Sequence, residues 1–205
     1  MPKFFLVLVI FIVSACATGV PKSQISNAAT PDGQSVARGV IVGSFTQIGK
    51  TYVRSISFRH IASGKSFTIA QGTFLSRNDF KGNIDGIGIV FAYELPVGEY
   101  EFFDYEISYN DGLVSKVWRP QAKFSIPFEV NGGKINYLGD IRLIPSRGKN
   151  FLGLAIDAGG AFLFANELER DLPIIRRRFS HLLNEDVNPA VPTSGDISGA
   201  AILFE

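Results

Sequence analysis

Few side chains able to do chemistry are present, and they are widely spaced. The 205 residues hold one cysteine, Cys16, and two histidines, His60 and His181. A metal site needs imidazole, thiolate or carboxylate ligands converging at short, regular spacings, and neither histidine has a second ligand so placed. The run Asn78-Asp79-Phe80-Lys81-Gly82-Asn83-Ile84-Asp85-Gly86 is rich in side-chain oxygens. Its spacing is not that of an EF-hand and Lys81 would oppose a cation, so a turn-forming loop is expected. Glu99, Glu101, Asp104 and Glu106 are the carboxylates that could act as a glycosidase pair, which needs a separation of ~5–10 Å across a cleft. Plain alternation puts Glu99 and Glu101 on one strand face and Asp104 and Glu106 on the other, as solvated side chains. No Gly-x-Ser-x-Gly elbow occurs, and Gly86-Ile87-Gly88 leads into a strand rather than a helix, so neither a serine nucleophile nor a dinucleotide loop is indicated. Trp118-Arg119, next to Pro120, is the candidate ligand contact, because an indole can stack on a sugar ring. No catalytic set, metal site or cofactor is therefore expected.

The cysteine has a distinctive setting. After Met1-Pro2-Lys3, the chain from Phe4 to Val13 is unbrokenly apolar, then Ser14, Ala15, Cys16, Ala17 and Thr18 follow. An apolar run of about ten residues suits a signal-peptide core and is half of what a membrane-crossing helix requires. Val13-Ser14-Ala15-Cys16 resembles the lipobox of bacterial lipoproteins. The resemblance implies cleavage at Ala15–Cys16, a diacylglycerol group on the Cys16 thiol and acylation of the new amine. Each buried methylene contributes about 0.8 kcal/mol, so two or three chains make a lasting anchor. In a Gram-negative cell, the absence of aspartate at position 17 favours the outer membrane over inner-membrane retention.

Removing residues 1–15 takes away Lys3, the only charge there, and leaves basic and acidic side chains equal in number. A formally neutral body has no electrostatic case for nucleic acid or for an anionic lipid surface. With Cys16 consumed by lipid no disulfide can form, so packing alone must stabilise the domain. The 18 phenylalanines and 21 glycines, against one methionine and one tryptophan, point to strands joined by turns.

Those strands are expected at Gly39–Thr46, Tyr52–Ile61, Ser66–Leu75, Ile87–Leu95, Tyr100–Tyr109, Leu113–Trp118, Lys123–Val130 and Ile135–Ile144. Phe151–Ile156 and Ala161–Phe164 are further strand or edge segments. Turns fall at Pro96–Gly98, Asn110-Asp111-Gly112 and Asn131-Gly132-Gly133. The aromatics slip out of alternation at Phe102-Phe103, which predicts a β-bulge there or a strand buried on both faces. Leu168, Leu172, Ile175, Phe179 and Leu182 recur at helical spacing and predict an amphipathic helix packed on a sheet. Acids at its start and Arg176, Arg177 and Arg178 at its end suit the helix dipole. Pro173 is expected in the first turn of a helix beginning near Asp171. Asn184–Gly199 reads as a loose tail, with Ala200–Phe204 able to return as a short strand.

Leu95-Pro96-Val97-Gly98-Glu99-Tyr100 resembles the Leu-Pro-x-Gly-x-Tyr turn of transthyretin-like and carboxypeptidase regulatory-like domains. Gly133-Lys134-Ile135-Asn136-Tyr137-Leu138-Gly139 is similar to a second strand of such lipoproteins. The resemblance covers roughly residues 38–144 and implies a hairpin turn at the proline and glycine, with the tyrosine facing the core. The expected fold is all-β, an antiparallel β-sandwich of transthyretin-like type with one C-terminal α-helix. Residues 1–15 form the signal peptide, 16–37 the lipidated cysteine and tether, 38–165 the sandwich, 166–183 the helix and 184–205 the tail. The expected role is that of a lipid-anchored envelope protein, facing the periplasm, that binds or scaffolds without catalysing. A carbohydrate- or peptidoglycan-binding module using Trp118 and Arg119 is the first alternative, and an envelope hydrolase the second. Expected partners are the membrane, through the acyl chains on Cys16, and an envelope protein or a glycan.

Overall fold

The computed structural model describes residues 37–49, 52–72, 77–110, 115–149, 151–182, 186–193 and 201–204. The segment expected as a signal peptide, Cys16, nearly all of the expected tether and the Asn110-Asp111-Gly112 turn beyond its first residue lie outside them.

Strands β1 (Arg38–Ile48), β2 (Val53–His60), β3 (Ser66–Gln71), β4 (Gly86–Pro96), β5 (Gly98–Asn110) and β6 (Ser115–Trp118) come first. They are followed by β7 (Ile126–Val130), β8 (Ile135–Lys149) and β9 (Ala155–Ala165), then α1 (Leu168–Arg178), a 3-10 turn (Ser180–Leu182), β10 (Val187–Pro189) and β11 (Ala201–Phe204). One sheet has the order β11-β9-β8-β1-β4, with β10 also on β8; the other has β3-β2-β5-β6, with β7 also on β5. The fold is thus a β-sandwich with one helix. Most pairs are antiparallel, but β1 lies parallel to β8, and so does β10.

Between the sheets lies an aromatic-rich core, including Phe45, Phe58, Tyr100, Phe102, Trp118, Phe128, Phe162 and Phe164. Phe58 meets Tyr100, Phe102 and Phe128 with ring centroids 5.8–6.3 Å apart, the separation at which tilted aromatic pairs add to simple burial. The first sheet is buried on both faces, which explains the continuous apolar runs in β1 and β4. Its outer face carries a second core, where Val42, Val90, Ala92, Ile135 and Tyr137 meet Ile174, Ile175, Phe179 and Leu182 from the helical segment, together with Phe80 from the 77–85 loop.

That packing is the sheet contact expected for the helix, with Leu168, Ile175, Phe179 and Leu182 of the expected stripe in or against the second core, but the start differs. The helix begins at Leu168 and contains Pro173 at its sixth residue; Asp171 and Ile174 join Ile175 on its buried face, and Leu172 is the member of the expected stripe that stays outside the second core. Pro173 removes the N–H that would bond Glu169. The turn before it is held instead by Asp171, which is clamped to the sheet as described below. The expected loose tail also differs, because Val187–Pro189 joins the sheet beside Ile135–Tyr137 and the Ala190 N–H donates to the Tyr137 carbonyl at 2.8 Å.

At Pro96–Gly98 the chain does not make a hairpin: β4 belongs to one sheet and β5 to the other. Gly98 has φ +139°, and a Cβ there would come 2.8 Å from His60 Nε2. The buried Tyr100 does face the core, and its hydroxyl donates back to the Pro96 carbonyl at 2.9 Å, clamping the corner. The slip at Phe102-Phe103 is a bulge. Ser57 pairs with Asp104 and Phe58 with Phe102, leaving Phe103 as the extra residue.

Candidate functional site

A second bulge builds the most highly connected polar cluster among the described residues. Val42 pairs with Tyr137 but Ser44 with Asp140, so β8 carries one extra residue at Leu138–Gly139. Gly139 has φ +92°, and a Cβ on it would lie 2.7 Å from the Ala165 carbonyl oxygen; only glycine fits there without strain. The extra residue leaves Leu138 in the inter-sheet core while Tyr137 and Asp140 both point toward α1.

Asp140 is fully buried. Its carboxylate accepts from the Thr46 hydroxyl at 2.7 Å and Arg142 Nε at 2.9 Å, and lies 3.0 Å from the Ser44 hydroxyl, whose single proton it shares with Asp171. Arg170 approaches it at 3.0 Å. Asp171, descending from α1, accepts from Ser44 at 2.6 Å, Tyr137 at 2.7 Å and Arg170 at 2.8 Å. Arg142 also reaches Glu167 at 2.6 Å, and the Glu167 N–H donates to the Tyr137 hydroxyl at 3.2 Å. Two arginines and three carboxylates therefore bind the helix to the sheet.

Burial pushes the Asp171 carboxyl above its ordinary value, against the opposing pull of Ser44, Tyr137 and Arg170. Burial, and then the charge of Asp171, raises the Tyr137 phenol. Burial would lower both guanidiniums, but the carboxylates around Arg142 and Arg170 outweigh it and raise them. Asp140 and Asp171 are each occupied by hydroxyl and guanidinium donors of the same chain and Glu167 by a guanidinium, which suits a latch better than a reactive centre.

A further charged group is enclosed between the sheets. Arg54 donates to Gln47 Oε1 at 2.9 Å, to the Phe45 carbonyl at 3.1 Å and to Gln71 Oε1, and its guanidinium lies 4.8 Å from the Phe45 ring centre. Burial pulls its pKa down to about 9, partly offset by the Asp140 charge, so it remains ionised at neutral pH.

The candidates read from sequence are placed as follows. Trp118 is only 4% exposed and packs edge-on to Tyr52 at 5.9 Å, so its ring is part of the core and not a platform for a sugar. Plain sequence could not show this, because a tryptophan at a strand end is compatible with either face. Arg119 is exposed and pairs with Glu106 at 2.9 Å. The four acids of β5 all lie on the outer face of their sheet, because the extra residue at Phe103 returns Asp104 and Glu106 to the side of Glu99 and Glu101. The two-face expectation is corrected accordingly. Glu101 is held below the ordinary carboxylate range by the Ser125 hydroxyl and then by Arg59. Its neighbours do not set it against a second carboxyl across a cleft.

His60 Nδ1 lies 2.8 Å from the Ser63 hydroxyl, with its ring 4.8 Å from that of Tyr100. His181 lies in the exposed 3-10 turn beside Phe179. In the 78–86 loop, Asn78 Oδ1 accepts from the Phe80 and Gly88 N–H groups, both at 3.1 Å. Asp79 accepts from the Val90 N–H at 2.9 Å and from Arg77 at 2.9 Å. The loop thus covers the open edge of β4, a structural use of the oxygens considered above for calcium.

The sequence reading missed one surface. β8 and β9 continue past the last β1 pair, Gln47–Leu143, and meet in a turn at Phe151–Leu154. There Phe151 is 95% exposed, Leu152 67% and Leu154 61%. The signal was available as Arg147-Gly148-Lys149-Asn150-Phe151-Leu152-Gly153-Leu154, where apolar residues sit in a glycine turn instead of a strand.

Among the described residues no helix is long and apolar enough to cross a membrane. No protein-family profile matches the chain, and no curated protein matches it. Among solved structures, a leucine-rich repeat protein from Bacteroides thetaiotaomicron VPI-5482 is similar at 13% identity with a TM-score of 0.32. The similarity covers 53% of this chain and 14% of that protein, too slight to bear on fold or function.

Proposed function

We propose that the chain is a membrane-anchored lipoprotein of a bacterial cell envelope whose sandwich serves as a non-enzymatic binding or scaffolding domain. The observation that carries this reading is Val13-Ser14-Ala15-Cys16 directly after the apolar run from Phe4. Acyl chains on Cys16 hold the mature chain at a membrane, the periplasmic side of the outer membrane in a Gram-negative cell, and residues 17–37 set its reach. Internal pairing of the Asp140 and Asp171 cluster supports a scaffold, because its charged groups already have partners. A transthyretin-like classification of the sandwich is part of the same proposal, supported by the core-facing Tyr100 after Leu95-Pro96-Val97-Gly98.

Two measurements test this. Labelled palmitate should enter the wild-type chain and not Cys16→Ser; label on the variant would refute the anchor. In-cell crosslinking should then recover a defined envelope protein with the wild type. Recovery of glycan alone would replace the scaffold reading with sugar binding at a place other than Trp118.

A further inference from the structure

The hairpin tip is the most exposed apolar feature among the described residues, and its setting specifies an occupant. Three large apolar side chains, Phe151, Leu152 and Leu154, stand exposed at the end of a two-stranded extension. Ile144, 39% exposed, and Ile48, 42% exposed at the end of β1, continue the apolar character back to the sandwich. Arg147 and Lys149 are exposed one turn behind the tip, and the only acid of the segment is Asp157, opposite Arg147 in the register. Apolar residues at the apex with cations behind them match the depth profile of a bilayer interface, where acyl chains give way to anionic headgroups.

Topology adds a second argument. β1 enters at Arg38 and runs parallel to β8, so the tip lies at the end of the sandwich away from the N-terminal chain. Residues 16–37 can reach at most about 75 Å. β8 is itself about 50 Å long. That reach exceeds the length of β8, so a chain held at Cys16 can bring the tip to the same surface by lying along it.

We propose that the β8–β9 tip is a second, non-covalent attachment to the same bilayer that holds the acyl chains. Phe151, Leu152 and Leu154 enter the interface, Arg147 and Lys149 meet the headgroups, and the domain lies along the membrane. The choice of bilayer rests on the lipoprotein reading above; the affinity of the tip for lipid does not.

The test uses the full processed chain with Asn150→Cys carrying an environment-sensitive dye, on vesicles of phosphatidylcholine with a minority of phosphatidylglycerol. A blue shift, with quenching by spin-labelled acyl chains in the bilayer carrying the protein, is expected. Changing Phe151, Leu152 and Leu154 to serine should abolish both signals while leaving the unfolding midpoint in place. Palmitate-labelled, vesicle-bound protein with an unshifted dye would overturn the tip proposal and leave the anchor standing. If no palmitate is incorporated, the anchor reading fails and the tip is judged on the unlipidated chain. Vesicle partition falling at least about tenfold in the triple-serine variant would support lipid as the occupant, and no partition by the parent would refute it. A dye shift without vesicles that grows with protein concentration would assign the tip to a second copy and overturn the proposal.

Discussion

Replacing Asp140 by alanine should destabilise the domain by about 3 kcal/mol. The carboxylate accepts from Thr46 and Arg142, shares the Ser44 proton with Asp171 and is paired with Arg170, all beneath α1. Breaking a buried ion pair by removing one partner costs roughly 3–5 kcal/mol, chiefly because the remaining charge stays desolvated. Here each arginine retains one carboxylate, Glu167 for Arg142 and Asp171 for Arg170, so the lower end applies. For a domain of this size the loss corresponds to a fall in melting temperature of about 6–12 °C. Urea unfolding followed by circular dichroism gives the free energy, with the denaturant slope unchanged if the native state stays compact. Hydrogen exchange of the α1 amides should accelerate more than that of the β2–β5 pair. A double-mutant cycle with Arg170→Met isolates the contact, with a coupling of at least about 1 kcal/mol expected. A single-variant loss below about 1 kcal/mol, or additive effects in the cycle, would refute the latch.

Trp118→Ala should cost about 3–5 kcal/mol through an unfilled core site, while Arg119→Ala, which breaks only an exposed pair, should change stability by no more than about 0.5 kcal/mol. Urea midpoints of the two variants make the comparison; the reverse order would contradict the burial of the indole. Gly139→Ala should cost about 1–3 kcal/mol or more, since it forces an L side chain into a left-handed conformation against the Ala165 carbonyl, and the same titration reads it. The folded-state pKa of Asp171 lies above the ordinary value of 3.8, so the folded protein binds the proton more tightly than the unfolded one. The contribution of Asp171 to stability should therefore fall as pH rises from about 3.8 through the folded-state pKa, then level off. Asp171→Asn should lack that component when unfolding free energies are compared across this range.

The local elements were legible, and the long-range ones were not. Alternation and glycine turns located β1 through β8 to within a few residues, apart from the C-terminal end of β3, the N-terminal end of β7 and the long C-terminal extension of β8. The slip at Phe102-Phe103 located a bulge before any pairing was known. The meaning of that bulge was less accessible, because it reverses the face of Asp104 and Glu106 only when the partner register around Ser57 and Phe58 is fixed. Pro173 misled because a local penalty was weighed without the tertiary clamp on Asp171. Ser44, Thr46 and Asp140 carried a usable signal, being polar residues in strands otherwise buried on both faces. Their convergence depends on a parallel pairing that periodicity does not encode. The tip at Phe151–Leu154 was obscured by the resemblance of its apolar residues to a short strand.

The parallel alliance of β1 with β8 also governs the order in which the chain can mature. Ser44 and Asp140 are separated by 96 residues. At a synthesis rate of about 5–20 residues per second, β1 exists for roughly 5–20 s before its β8 neighbour has been made. The other sheet draws on β2, β3 and β5, which are closer in sequence, and can assemble during that interval. A first strand that can pair with β4 but must wait for β8 gives early termination or slow export a specific outcome: a half-built sandwich in which the β8 edge of β1 is left open.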